Sequence, residues 1–126
     1  HRKTEELGLE LSRVYLRMAR VEPKVASLRE IRTLRASEFA PLRAAGVLLC
    51  AQRWPAAFLK RASKLFSDRA PEVREAVLDG LVCATVQLPL SEKDQNAVMQ
   101  LLDAASRDES DAVRAASEDT AVLLGM

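Results

Sequence analysis

Histidine, cysteine, glycine and aromatic residues are all scarce in this chain of 126 residues, and each shortage removes a class of chemistry. The single histidine is His1, at a terminus. Ser-His-Asp and Cys-His sites need a positioned imidazole, so neither is expected. Cys50 and Cys83 stand apart, each inside an apolar helical pattern, and no Cys pair or His cluster has metal-ligand spacing. Buried, reduced thiols follow, rather than a disulfide or a metal site. With four glycines there is no Gly-rich loop to cradle a phosphate. Asp108, Glu109 and Asp111 flank a predicted helix start, where carboxylates meet the positive end of the dipole, and they read as caps. No apolar run approaches the ~20 residues of a membrane span. Behind His1-Arg2-Lys3 there is no apolar signal core. These observations predict a non-enzymatic chain without cofactor or metal, with no membrane partner, and an intracellular home in cytoplasm or nucleus.

What the chain does have is Ala, Leu, Arg, Glu and Val, residues that lose little freedom in a helix or pack well on one. An all-α chain is predicted. The stretch from Ala70 to Leu88 organises it, through the phrase Val73-Arg74-Glu75-Ala76. That phrase returns as Val113-Arg114-Ala115-Ala116 and, more weakly, as Leu42-Arg43-Ala44-Ala45. Recurrence at a period of roughly 30–40 residues marks stacked helix pairs.

Apolar spacing at i, i+4, i+7 and i+8 predicts a first helix over about 4–20, through Leu7, Leu11, Val14, Tyr15 and Met18. Leu9 and Leu16 add a second apolar line, so this helix reads as the leftover half of a preceding repeat in a longer array. Pro23 is expected in the first turn of the next helix, which runs to about Ala36. Further helices are predicted after Ser37 and Pro41, after Trp54-Pro55, after Pro71, after Ser91 with Asp94 as a capping box, and after Ser110. The repeats then fall at 22–52, 54–88 and 91–126. Short connections predict antiparallel neighbours. In the Pro71 helix, Val73, Val77, Ala84 and Leu88 line one face and Leu78, Val82 and Val86 another. Only Arg74, Glu75, Asp79 and Gln87 are left to meet water.

Charge is unevenly placed. Through Lys64 there are fourteen Lys and Arg against six Glu, a net of +8; the remainder carries five against twelve acids, a net of −7. Arg13, Arg17, Arg20 and Lys24 have stripe spacing, and Arg29, Arg32 and Arg35 form a ridge on the next helix. Seven cations on two helices form a candidate basic binding surface for phosphates. Glu10, Glu22 and Glu30 lie among them, which favours a solvated face or a dock for an acidic protein over nucleic acid. Self-association through the opposed halves is a third reading. Trp54 is expected at a helix junction rather than stacked on a ligand.

Asp68 precedes Arg74 by six residues and Asp108 precedes Arg114 by six, each Asp in a turn and each Arg in the following helix. With the Val-Arg-x-Ala phrase, this spacing resembles the HEAT-repeat family, the helix-pair solenoids related to armadillo repeats. The resemblance covers about Pro23 to Leu124. It implies a right-handed α-solenoid of antiparallel helix pairs, about seven helices in all, with straighter first helices because the mid-helix proline is missing. It further implies that Asp68, Arg74, Asp108, Arg114 and Arg43 are structural ties within and between repeats. Ser37 stands in the Asp position before Arg43, so that rung is expected to be weak or missing. A protein or peptide partner is the implied ligand.

Overall fold

The computed structural model describes residues 27–126, and every regular element among them is a helix. In chain order these are α1 (Leu28–Arg35), α2 (Ala40–Arg53), α3 (Pro55–Leu65), α4 (Pro71–Gln87), α5 (Glu92–Ala105) and α6 (Asp111–Leu124). The helix predicted over 4–20 lies outside the described residues.

Two kinds of start signal occur along the chain. Helices α2, α3 and α4 carry Pro41, Pro55 and Pro71 in their first turns, where a missing N–H costs no hydrogen bond. Helices α1, α5 and α6 start behind Ser27, Ser91 and Ser110, whose hydroxyls accept from the N–H groups of Glu30, Asp94 and Val113. At Ser27 the bond is reciprocal, because the Glu30 carboxylate accepts from the Ser27 N–H at 3.2 Å. This box corrects the expected start at Pro23: Ser27 is extended, and helix begins at Leu28. At Ser91 the hydroxyl half of the expected box forms, at 3.1 Å.

Helix α4 packs against α2, α3 and α6, and α2 in turn packs against α1 and α3, while α5 leans on α6. Helices α2, α4 and α6 therefore follow one another in direct contact. Ile31, Leu49, Phe58, Val73, Val77, Leu78, Leu81, Val98, Leu102 and Val113 form one continuous core through all six helices. Each such side chain contributes roughly 1.5–3 kcal/mol by leaving water. Close approach of α3 to α4 depends on Gly80. A Cβ there would lie 2.6 Å from Cζ of Phe58 and 3.1 Å from the Ala51 Cβ.

The two-sided burial of α4 holds for Ala76, Val77, Leu78, Leu81 and Ala84, with two departures. Val86 is 82% exposed, on the side of α4 that also carries the exposed Asp79, although Ala84 two residues before it is fully buried. Arg74, expected to meet water, is only 7% exposed. Its partners explain that burial.

Candidate functional site

Arg43, Arg74 and Arg114 occupy the fourth position of α2, α4 and α6. Six residues before each stands a polar turn residue that accepts from the backbone N–H two positions on. Ser37 Oγ accepts from Phe39 N–H at 3.1 Å, Asp68 from Ala70 N–H at 2.9 Å, and Asp108 from Ser110 N–H at 2.9 Å. The main-chain carbonyl of the same residue then accepts from the arginine that follows it. Arg43 Nη1 donates to Ser37 O at 3.0 Å, Arg74 Nη1 to Asp68 O at 2.9 Å, and Arg114 Nη1 to Asp108 O. Three turns thus share one geometry.

The rest of each guanidinium reaches forward along the chain. Arg43 donates from Nε and Nη2 to the two carboxylate oxygens of Asp68, at 3.0 and 3.1 Å. Arg74 grips Asp108 the same way, at 2.9 and 3.0 Å. Two parallel bonds to a carboxylate fix orientation as well as energy, which a lysine's point charge would not. The carboxylate of Asp68 therefore serves the arginine behind it in the chain, and only its carbonyl serves Arg74. This corrects the weak rung expected at Arg43. Ser37 supplies the turn bond and the carbonyl; what it lacks is a carboxylate to receive a further arginine. Arg114 closes the series by turning back to Asp111.

Burial alone would push the carboxyl groups of Asp68 and Asp108 up. Hydrogen bonds from Arg43 and the Ala70 N–H at Asp68, and from Arg74 and the Ser110 N–H at Asp108, outweigh it, helped by nearby guanidinium charge, and hold both below the ordinary aspartate value. Glu109 adds a long contact of 3.8 Å to Arg74. The acids near Ser110 thus cap and pair at the start of α6.

A second feature lies beside the Arg43–Asp68 pair. Arg32 and Arg35 of α1, Arg43 of α2, and Arg61 and Lys64 of α3 line one cleft of about 690 Å³, whose single carboxylate is Asp68. Gly46 lets Arg35 lie down over α2: a Cβ at Gly46 would meet the Arg35 Cγ and backbone N at 2.9 Å each. The Arg35 Nε is buried without a hydrogen-bond partner. Burial raises the Cys50 thiol above its ordinary value, against the opposing charges of Arg35 and Arg61, which both lie near it. Arg35 and Arg61 thus line the same cleft.

Of the predicted basic surface, Arg13, Arg17, Arg20 and Lys24 lie outside the described residues. Arg29, Arg32 and Arg35 do not form one ridge. Arg29 and Arg32 are exposed, whereas Arg35 turns inward, and only Arg32 and Arg35 reach the cleft. Arg61 and Lys64 were not singled out by sequence reasoning, although their i, i+3 spacing places them on one side of α3. Trp54 caps α2 and opens α3, half-buried, with the Arg53 guanidinium 5.2 Å from its ring centroid. Cys50 is buried and Cys83 half-buried, both as free thiols. Among the described residues no three His, Cys, Asp or Glu side chains gather as a metal site, and no helix is long and apolar enough to cross a membrane. No protein-family model matches the chain, and neither does any curated protein or solved structure.

Proposed function

We propose that this chain is a segment of a HEAT-type right-handed solenoid, built of antiparallel helix pairs, that serves as a non-enzymatic scaffold for a protein or peptide partner. The observation that carries this reading is the threefold recurrence of one turn, at Ser37 to Arg43, Asp68 to Arg74 and Asp108 to Arg114, with each arginine of the first two gripping the next aspartate. An element repeated with the same bonds, and tied to its successor, is the mark of a stack whose units each bury apolar faces against neighbours. Contact of α2 with α4 and of α4 with α6 supports the same reading. A repeat array presents a long rigid surface, and such surfaces hold partners rather than transform them.

The test is affinity capture from lysate on the immobilised segment, with and without nuclease, against a Val77→Asp control whose core is broken. Proteins retained by the folded chain, lost on the control and indifferent to nuclease support the scaffold. Loss of every partner on nuclease digestion would transfer the function to nucleic acid held by the basic N-terminal half, and capture of no protein at all would remove the scaffold reading.

A further inference from the structure

We infer that the cleft between α1 and α3 is a binding site for a phosphate monoester presented on a peptide. The inference rests on the scaffold reading and names the partner's chemistry. Five cations face the cleft, and Arg43 and Asp68 satisfy each other, which leaves Arg32, Arg35, Arg61 and Lys64. None of these four pairs with a carboxylate among the described residues. Like charges gathered without a counter-charge repel, and a bound anion relieves that repulsion while gaining charge-assisted bonds.

Geometry selects the kind of anion. Arg35 is held in place, its stem lying over Gly46 and its Nε buried and unpaired. Arg61 lines the same cleft. Two guanidinium groups with Lys64 beside them match a dianion that carries three acceptor oxygens on one phosphorus. A nucleic-acid backbone offers single charges spaced along a strand, which calls for cations in a row. Here they converge. At about 690 Å³ the cleft also has space for the residue bearing the phosphate and its neighbours.

The experiment uses the whole chain. Arginine Nε–Hε resonances are followed by NMR during titration with inorganic phosphate, with a five-residue peptide centred on phosphoserine, with the same peptide unphosphorylated, and with a short oligothymidylate, all at matched ionic strength. Expected are saturable shifts of the Arg35 and Arg61 resonances with phosphate and phosphopeptide, and none with the plain peptide. Arg61→Ala with Lys64→Ala, both exposed positions, should weaken phosphopeptide binding by about tenfold or more, since each lost charge-assisted bond is worth that much. Arg29→Ala, outside the cleft, should leave it unchanged. Absence of a saturable Arg35 shift, equal binding by the double variant, or tighter binding of the oligothymidylate would each overturn the assignment. If the unaltered chain captures lysate partners while the phosphopeptide fails to bind it, the anion site falls and the scaffold stands. Failure of capture with phosphopeptide binding intact would separate them the other way.

Discussion

Replacing Arg74 by alanine should cost far more than a surface ion pair is worth. Its side chain and that of Asp108 are each 9% exposed, and the two are joined by two bonds of 2.9 and 3.0 Å. A third bond, at 2.9 Å, runs to the Asp68 carbonyl. Truncation removes all three and leaves Asp108 enclosed with the Ser110 N–H as its remaining hydrogen bond and the Arg114 charge nearby. Removing one member of a buried pair costs roughly 3–5 kcal/mol. Water entering the vacated space at the turn relieves part of that, so about 3 kcal/mol is the expected loss. At about 4 °C per kcal/mol for a domain of this size, Tm should fall by about 12 °C. Arg43→Ala, where the pair is 12% and 20% exposed, should lose less, about 2 kcal/mol. Urea and thermal unfolding followed by far-ultraviolet circular dichroism would measure both, and the double variant with Asp108→Ala would isolate the coupling. A loss under about 1 kcal/mol for Arg74→Ala would show the pair to be an ordinary surface contact and refute the reasoning. Acid provides an independent check. Asp68 and Asp108 have folded pKa values below their unfolded ones, so their stabilisation is complete above about pH 4 and is lost as pH falls through the depressed folded values. Arg74→Ala should flatten that acid limb.

Gly80→Ala should destabilise despite alanine's better helix propensity, by about 1–3 kcal/mol, because its Cβ would drive into the fully buried Phe58 ring; a raised Tm would contradict the packing of α3 on α4. Val77→Asp should unfold the chain by burying an unpaired charge, whereas Val86→Asp on the same helix, at a position 82% exposed, should change stability by no more than about 0.5 kcal/mol; similar losses for the two would overturn the assigned faces of α4. Glu75 is raised by partial burial and by the charges of Asp79 and Glu72, so its ionised form costs stability above the raised value and the cost vanishes as pH falls below the unfolded one. Glu75→Gln should therefore raise Tm at pH 7 and lose that advantage near about pH 4, which a pair of melting curves would check.

Much of this fold is written locally, and that part was legible. Proline behind Trp54 and Ala70, serine before Glu92 and Asp111, and apolar spacing along α3 to α6 act within a few residues of themselves. Ser27 and Glu30 form an equally local signal, yet Pro23 upstream offered a competing start. The missed features depend on neighbours distant in sequence. Arg74 looks like a solvent-facing residue until Asp108, 34 positions on, folds against it. Val86 looks like a core residue because Leu78, Val82 and Val86 are spaced by four, but each such step drifts about 40° round the helix and carries the line from buried to exposed. The basic cleft needed residues of α1, α2 and α3 brought round one space. Gly46, the residue that seats Arg35, carries no signal beyond its lack of a side chain.

The paired arginines also govern where the chain tolerates extra length. Arg43 reaches Asp68 across 25 residues and Arg74 reaches Asp108 across 34, with nearly identical bond lengths. The difference is taken up between the tied residues, in an α4 of 17 residues against an α2 of 14, in a four-residue link between α4 and α5 where Trp54 alone joins α2 to α3, and in an α5 of 14 residues against an α3 of 11. A splice beside the exposed Pro89 therefore leaves both grips intact, and doubling the loop there costs only about 0.6 kcal/mol in closure entropy. A single residue added between Asp68 and Arg74 would rotate the guanidinium by about 100° round α4 and uncouple it from both aspartates. An inserted epitope or fluorescent domain belongs at Pro89, and the turns before Arg43, Arg74 and Arg114 are the places to leave untouched.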